Sequence, residues 1–178
     1  MILLVAATEA ELCGHPGLVC GVGPVEAALT TAAALAGERP RAVVHVGVAG
    51  ARRESGLEVL DVVVGSKSVY EDLVTARKLA PTSLLPDPGL LGAARAALPS
   101  AHVLPIGTTG KVGGASGCKV EAMEGFAVLR AAALAGVPAV EIRSISNFVE
   151  DARATWRLAE AIGVLEDAIP RLLAELSQ

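Results

Sequence analysis

VEAMEGFAVLRAAALAGVPAVEIRSISNFVED, residues 120–151, is the stretch that predicts how this chain folds. It reads as the end of a strand, a Met-Glu pair, an apolar helix, a buried strand and then Arg-Ser-Ile-Ser-Asn. An order of this kind is typical of α/β sheets, in which ligands bind at the carboxyl ends of the strands. We therefore expect Glu124 and Asn147 to lie at the ends of neighbouring strands and to form part of a ligand site.

The same alternation of strands and helices continues through the other residues of the chain. Short apolar or β-branched runs predict strands, and Ala- and Leu-rich periodic runs predict helices. Strands are predicted over 2–7, 18–21, 42–48, 59–66, 102–106 and 139–145, and helices over 24–36, 89–98, 124–134 and 155–176. Residues 72–88 are predicted to form a loop or lid, and residues 107–117 a Gly-rich loop. The prediction is an α/β three-layer sandwich, a central mixed sheet flanked by helices, in a single domain over 1–178.

Charge and cysteine content argue against several classes of partner. The formal net charge is −4 and no block of Lys and Arg occurs, so nucleic acid is not an expected partner. The three cysteines, Cys13, Cys20 and Cys118, show no C-x-x-C spacing. A disulfide framework and a zinc site are therefore not expected, and no metal is predicted.

The apolar content bears on location and assembly. Hydrophobic residues make up 52% of the chain, yet no uncharged apolar run reaches the ~18 residues of a membrane span. No basic segment precedes the strand-like start, so we expect a cytoplasmic protein without a secretory signal. The surplus of Ala, Val and Leu suggests more buried surface than one small domain supplies, which predicts a homo-oligomer, a dimer or higher.

Six short segments follow one another along the chain: ATEAE at 7–11, CGVGPV at 20–25, VGVAG at 46–50, VLDVV at 59–63, VEAMEGFA at 120–127 and RSISN at 143–147. They resemble, in this order, the motifs A-M-E-x-E, S-G-I-G-K-V, T-G-x-A-G, V-G-D-I-V, V-E-M-E-x-x-A and R-x-I-S-D of the nucleoside phosphorylase and nucleosidase superfamily. Within that superfamily, the resemblance is to the bacterial nucleosidases that hydrolyse methylthioadenosine, S-adenosylhomocysteine or futalosine. The resemblance implies a phosphorylase/hydrolase-like fold and an enzyme that cleaves purine nucleosides without a redox cofactor.

Two carboxylates acquire roles from this resemblance. It implies that Glu11 is the general base that activates water, whereas the residues alone also fit a solvated charge in a first helical turn. It implies that Glu124 accepts hydrogen bonds from the ribose 2′- and 3′-hydroxyls, with Met123 packing against the sugar. Without the family, Glu124 also fits an ordinary helix N-terminal position.

Asn147 departs from the family pattern. Relatives that cleave 6-aminopurine nucleosides carry Asp there, to place a proton on N7. An amide donates to O6 or N7 and accepts from a purine N–H, which suits a 6-oxopurine such as hypoxanthine. An amide gives up no proton at neutral pH, so a hydrogen bond to the developing charge has to suffice. The alternative is an Asn that caps a turn.

The run NFVEDARATW, residues 147–156, resembles the futalosine hydrolase branch. Arg153 would pair with the carboxylate of the benzoate tail, although an exposed Arg at a helix start fits equally well. Trp156 is expected in the core rather than as a stacking platform, because Trp is highly buried on average.

The walls of the site are predicted less directly. No aromatic residue occurs in the loop at 107–117, so we expect Phe126 or Phe148 to stack on the base, or the base to lie against Val112. Val48 occupies the position at which phosphorolytic relatives carry Ser or Thr, which favours water over phosphate as the nucleophile. His45 lies mid-strand and is interpreted as a hydrogen-bonded core histidine.

The expected function is hydrolysis of futalosine to hypoxanthine and dehypoxanthinyl futalosine, a step of menaquinone biosynthesis. The first alternative is a methylthioadenosine/S-adenosylhomocysteine nucleosidase, which would release adenine. The second is a purine nucleoside phosphorylase, which would depend on phosphate, or a non-catalytic paralogue that only binds a nucleoside.

Overall fold

The fold alternates strands and helices along the chain, as the sequence predicts. A computed structural model describes residues 1–37, 39–74, 79–113 and 117–177. The strands are β1 (Ile2–Ala6), β2 (Leu18–Val19), β3 (Ala42–Ala51), β4 (Val62–Tyr70), β5 (Ser83–Leu84), β6 (His102–Thr108), β7 (Val120–Ala122) and β8 (Ala139–Phe148). The helices are α1 (Pro24–Gly37), α2 (Pro88–Ala97), α3 (Gly125–Ala135) and α4 (Leu158–Glu175).

All eight strands belong to one mixed sheet that closes on itself. The order is β2-β1-β3-β7-β6-β4-β5, and β8 pairs in addition with both β3 and β4. The strands β3, β8, β4, β6 and β7 therefore form a ring, in which β3–β8, β4–β6 and β6–β7 are parallel and β4–β8 and β3–β7 are antiparallel. The short β7 completes the ring, which brings the segment before α3 next to the end of β3.

Three apolar clusters hold this sheet between its helices. One packs α2 and α4 against one face, with Leu165 and Ile169 as fully buried members. Another packs α1 and α3 against the other face, and it includes Ala27 and Val128. The third, around Ile106, lies among β3, β4, β6, β7 and β8. Helices thus cover both faces of a central mixed sheet, which confirms the predicted α/β class.

One detail of the prediction is wrong. The segment before Glu124 belongs to β7 and Asn147 lies on β8, but these two strands are not neighbours, since β3 pairs with each of them. Local patterns in the chain do not specify which distant strands pair, and β3 continues to Ala51, beyond the predicted end at residue 48. The two residues consequently lie on either side of the end of β3.

Smaller differences affect the connections. The predicted loop at 72–88 includes β5, which pairs antiparallel with β4, while residues 75–78 lie outside the described part of the chain. The predicted Gly-rich loop begins only after β6 ends at Thr108. Its residues 114–116 also lie outside the described part of the chain. In the described ranges, no helix is long and apolar enough to cross a membrane.

Candidate active site

A cavity of about 270 Å³ lies at the carboxyl ends of β1, β3 and β8, beside β7 and the start of α3. This is where ligands bind in α/β sheets. Within the described part of the chain, its polar lining residues are Thr8, Glu11, Glu121, Glu124, Ser146 and Asn147. Four of the predicted site residues, Glu11, Glu124, Asn147 and Met123, therefore meet at one cavity, and Val48 and Val112 line it as well.

Glu11 is held at this cavity by three hydrogen bonds. It lies in a 3-10 turn after β1 and is 6% exposed. One oxygen accepts from the backbone N–H and the hydroxyl of Thr8, at 3.1 and 2.8 Å, and the other accepts from the Val48 N–H at 2.9 Å. Since all three donors are supplied by the fold, the carboxylate is oriented before any ligand arrives.

Glu124 occupies the N-cap position of α3 and is 4% exposed. Its Oε1 accepts from the Gly23 N–H at 3.1 Å, and its Oε2 lies 3.6 Å from Nη2 of Arg143. Burial raises the pKa of this carboxyl, while the Arg143 charge and the Gly23 hydrogen bond oppose that rise. Its side chain makes no capping bond to α3, so the carboxylate is directed to other partners.

Arg143 is a fully buried cation that connects several elements beneath the cavity. Its Nε donates to Glu141 at 2.9 Å, and its Nη2 lies 2.6 Å from Nε2 of His45. His45 Nδ1 lies 3.0 Å from the Val5 carbonyl, which accepts only, so Nδ1 carries the proton and Nε2 accepts from Arg143. Burial, and then the Arg143 charge, lower the pKa of His45 well below its ordinary value, so the imidazole is neutral. The interpretation of His45 as a hydrogen-bonded core residue agrees with this geometry.

Gly47 makes room for these charges. A Cβ atom at this position would overlap Nη1 of Arg143 and would lie 2.8 Å from Oε1 of Glu11. Any side chain here would therefore displace the base candidate and the buried cation together. The glycine of the VGVAG segment is needed because charged groups approach the backbone, rather than for an unusual φ angle.

Asn147 is oriented by its two neighbours in the chain. Its Nδ2 donates to the Phe148 carbonyl at 2.9 Å, and its Oδ1 accepts from the Ser146 hydroxyl at 2.7 Å. A carbonyl cannot donate, so the amide nitrogen must face Phe148 and the assignment of oxygen and nitrogen is settled by the contacts. The β3–β8 register shifts between Ala49 and Gly50, and this bulge lets the consecutive residues Ser146 and Asn147 both line the cavity.

One wall of the cavity is apolar. It is formed by Val149 and Trp156 after β8 and by Leu158 and Ile162 of α4. Trp156 was expected in the core, but its ring is half-buried and lines the cavity, because the connection from β8 to α4 crosses the carboxyl edge of the sheet. Its Nε1 donates to the Asp151 carbonyl at 3.4 Å.

Three predicted contact residues lie outside this cavity. The ring of Phe126 stacks on Tyr70, with centroids 5.3 Å apart, and Phe148 packs beside the third core cluster under the guanidinium of Arg53. Neither ring is placed to stack on a base in the cavity, because α3 and β8 direct these rings elsewhere. Arg153 is exposed, and its guanidinium lies 5.6 Å from the centroid of the Trp156 ring.

Sequence reasoning missed Glu121, Ser146 and Thr8 as cavity residues, and Arg143 as the buried cation beneath them. The VEAME segment offers a signal for Glu121, because residues two apart in an extended strand point to the same side, and Met123 is already predicted to contact the sugar. The others depend on side-chain directions that local patterns do not specify. In the described residues, no group of three or more His, Cys, Asp or Glu side chains is arranged to hold a metal ion.

The chain matches a known protein family and proteins of known function. The model of the phosphorylase superfamily matches residues 12–178. Futalosine hydrolase of Streptomyces coelicolor is 36% identical over 87% of this chain and 77% of its own length. Futalosine hydrolase of Thermus thermophilus is 31% identical over 91% of this chain and 82% of its own length.

Solved structures agree on the fold. Native futalosine hydrolase of Helicobacter pylori superposes with a TM-score of 0.86 at 17% identity, covering 98% of this chain and 97% of that one. The 5′-methylthioadenosine/S-adenosylhomocysteine nucleosidase of S. pneumoniae, bound to a transition-state inhibitor, gives 0.84 at 20% identity, covering 98% and 97%. The chain belongs to the phosphorylase superfamily and, within it, to the N-glycosyl hydrolases.

Proposed function

We propose that this chain hydrolyses the N-glycosidic bond of futalosine, releasing hypoxanthine and dehypoxanthinyl futalosine. The observation that carries the proposal is the convergence of Glu11, Glu124 and Asn147 on one cavity, in a chain 36% and 31% identical to two futalosine hydrolases. The amide at Asn147 favours a 6-oxopurine over adenine.

The nucleophile in this proposal is water activated by Glu11. The transition state resembles an oxocarbenium ion, which water attacks. A base is required because the attacking water must lose a proton. The three hydrogen bonds to Glu11 hold its carboxylate beside Val48, and the apolar Val48 side chain lines the cavity where phosphorolytic relatives carry Ser or Thr. This arrangement supports water rather than phosphate as the attacking group.

The sugar in this proposal is held by Glu124 and Met123. One carboxylate accepts hydrogen bonds from both hydroxyls of a cis-diol, and its Oε1 and Oε2 are already directed by Gly23 and Arg143. Met123 is half-buried and lines the cavity next to Glu124, where its thioether packs against the ribose. Holding the ribose close to Glu11 supplies the orientation on which the reaction depends.

The leaving purine is stabilised by Asn147. Its two hydrogen bonds to Phe148 and Ser146 use half of the amide's capacity, so one N–H and one oxygen lone pair are directed by the fold for a base. A donor aimed at the charge that develops on the purine stabilises the transition state without transferring a proton, and the departing purine then takes its proton from water.

The 5′-substituent is placed against the apolar wall of Trp156, Leu158 and Ile162. An aromatic tail buries its ring there, and the exposed Arg153 beside Trp156 pairs with the tail's carboxylate at the mouth of the cavity. A hydrogen bond between the Arg153 guanidinium and a carboxylate is stronger than one between neutral groups. Replacing Arg153 by a neutral residue should therefore raise KM chiefly for the substrate that carries the carboxylate.

The first experiment is base release by the purified protein from futalosine, inosine and methylthioadenosine, each with and without phosphate. Hypoxanthine from futalosine, independent of phosphate, supports the proposal. Adenine from methylthioadenosine would favour the methylthioadenosine/S-adenosylhomocysteine nucleosidase instead. Strict dependence on phosphate would indicate a phosphorylase, and thermal stabilisation by the nucleosides without base release would indicate a binding paralogue.

The setting of the reaction is part of the proposal. We place it in the cytoplasm and in menaquinone biosynthesis, so deletion of the gene should cause futalosine to accumulate and menaquinone to disappear. Restoring the wild-type chain should reverse both changes, and the Glu11→Gln variant should not.

A homo-oligomer is proposed from the surface of α1. Val25 and Leu29, one helical turn apart, are 66% and 65% exposed on its outer face. A second copy of the chain would cover this stripe. Light scattering should report a dimer or higher for the wild type and a smaller mass for Leu29→Glu, with the exposed Ala96→Glu on α2 as the matched control.

A further inference from the structure

Glu141 is a buried carboxylate beside Arg143 that the proposed mechanism does not use. It lies on β8, is 1% exposed, and its Oε1 accepts from Arg143 Nε at 2.9 Å. Its other oxygen, Oε2, is buried and has no hydrogen-bond partner among the described residues. Buried polar atoms are seldom left without partners, and apolar residues of similar volume often replace a buried ion pair without loss of stability. Stability alone therefore does not explain a carboxylate at this position.

Gly125 leaves the space in which this carboxylate lies. It is the first residue of α3 and follows Glu124 directly. A Cβ atom at Gly125 would overlap both oxygens of Glu141, so no larger residue fits here unless the carboxylate is displaced. The φ angle of Gly125 is not positive, so its backbone conformation does not require glycine. The space is therefore specific to the Glu141 side chain, and it brings that charge next to the helix start that carries Glu124.

Arg143 is held closely by Glu141 and only loosely by Glu124. Its guanidinium is planar and presents its donors in fixed directions, so contacts to two of its nitrogens determine where the third lies. Nε donates to Glu141 at 2.9 Å, and Nη2 lies 2.6 Å from Nε2 of His45. The distance from Nη2 to Oε2 of Glu124 is 3.6 Å, which is longer than a hydrogen bond. The cation is thus positioned near Glu124 without occupying its oxygen.

These distances reflect competition between carboxylates for one cation. Burial lowers the pKa of Arg143, but three carboxylates more than offset this effect, and Glu141 is the strongest of them. An arginine whose charge is balanced by Glu141 attracts Glu124 less, and the neutral His45 adds no charge of its own. Oε2 of Glu124 therefore keeps its lone pairs for a donor other than Arg143.

We propose that Glu141 is a positioning residue for ribose recognition: as the counter-ion of Arg143, it holds the guanidinium away from Glu124, whose carboxylate then accepts the ribose hydroxyls. The inference rests on the proposed nucleosidase function, and in particular on Glu124 as the ribose ligand. Without the charge on Glu141, Arg143 closes onto Glu124 and forms a direct ion pair that occupies the ribose acceptor. The loss then falls on binding of the hydroxyls and not on binding of the base.

The test compares a ribonucleoside with the same compound lacking its 2′- and 3′-hydroxyls. The ligands are 9-deazainosine, a C-nucleoside whose sugar–base bond resists hydrolysis, its 2′,3′-dideoxy counterpart, and the corresponding 9-deazaadenosine pair. Calorimetry gives the ratio of the two dissociation constants for each base. Glu141→Gln keeps an oxygen for Arg143 Nε but removes the charge. It should weaken binding of the ribonucleosides by about 10- to 100-fold, the range for one hydrogen bond to a charged group, and leave the dideoxy compounds within about threefold.

Two further variants separate this role from a general effect on the fold. Glu160→Gln removes a carboxylate that pairs with an exposed arginine, Arg157, and it should leave the ratio unchanged. Gly125→Ala removes no charge, but its methyl group displaces the Glu141 carboxylate, so it should lower the ribose preference too, and it tests the inference even if Glu141→Gln does not fold. In a Glu141→Ala background, Gly125→Ala should cause no additional loss, because the group that it displaces is absent.

The outcomes distinguish the inference from the function on which it rests. A folded Glu141→Gln protein that keeps the wild-type ratio, or that binds all four ligands more weakly by the same factor, would overturn the inference and leave the nucleosidase proposal intact. An unchanged ratio in Gly125→Ala would also overturn it. A wild type that binds each dideoxy compound as tightly as its ribonucleoside would overturn the ribose role of Glu124 in the proposed function, and the inference with it.

Discussion

Replacing Glu11 by Gln tests the proposed base by removing one charge with almost no change in shape. The carboxylate accepts from three donors, namely the Thr8 N–H, the Thr8 hydroxyl and the Val48 N–H. A Gln side chain has one oxygen and one NH2 group, so at least one of the two backbone N–H groups loses its acceptor and faces another donor. Loss of a general base lowers kcat by about 10²- to 10⁴-fold.

The same contacts set the expected change in stability. An unsatisfied buried donor costs ~1–3 kcal/mol, and each kcal/mol lowers Tm by about 2–4 °C in a chain of this size. Glu11→Gln should therefore melt about 2–12 °C lower and still be folded at 25 °C, where the rate of hypoxanthine release is measured. The two readouts together distinguish loss of chemistry from loss of fold.

Two control variants accompany this experiment. Glu9→Gln removes an exposed carboxylate two residues away and should change neither rate nor Tm. Thr8→Val deletes one donor to Glu11 but leaves the charge, so it should lower kcat by about tenfold at most, in line with one neutral hydrogen bond. A folded Glu11→Gln protein with kcat within about threefold of the wild type would refute the role of Glu11 as base.

Three further predictions concern the groups around Glu11. Gly47→Ala should lower the free energy of unfolding by ~1–3 kcal/mol through overpacking, and should also lower kcat, because the added methyl group displaces Arg143 and Glu11. Chemical denaturation and base-release assays measure the two effects, and unchanged values would contradict the packing described. Burial raises the pKa of the Glu124 carboxyl above its ordinary value, so affinity for a non-hydrolysable ribonucleoside should fall as the pH is lowered through that raised pKa. The folded state itself gains stability when this group is protonated, because the folded chain binds the proton more tightly than the unfolded chain. Calorimetry that finds the same affinity across this pH range would contradict the ribose-binding role of Glu124. The lowered pKa of His45 means that the unfolded chain takes up a proton near pH 6.5 that the folded chain refuses, so stability should fall below that pH by up to ~1.4 kcal/mol per pH unit. Urea unfolding of His45→Gln should show a shallower dependence, and an identical slope would exclude His45 as its source.

The local patterns of the sequence determined the elements and the kinds of side chain that follow them. Apolar periodicity located α1–α4 and most strands to within a few residues, because burial of one face is encoded every two or every 3.6 positions. The polar residues at or just beyond the carboxyl ends of strands, among them Glu11 and Asn147, could be located once the strands were predicted. An end-of-strand carboxylate and an amide are chemically informative without any coordinates.

How these elements meet depends on strand pairing and packing between segments that are distant in the chain. The pairing of β7 with β3 joins residues 50 and 121, about seventy positions apart, and no local pattern encodes a contact over that separation. That pairing separates β7 from β8 and places Glu121 and Asn147 on either side of Gly50, where both line the cavity. Likewise, Phe126 and Trp156 are similar as sequence signals, but α3 turns one ring onto Tyr70 and the connection after β8 turns the other into the cavity. Residue type and spacing are properties of the local chain, whereas the direction of a side chain depends on the packing of elements that are distant in sequence.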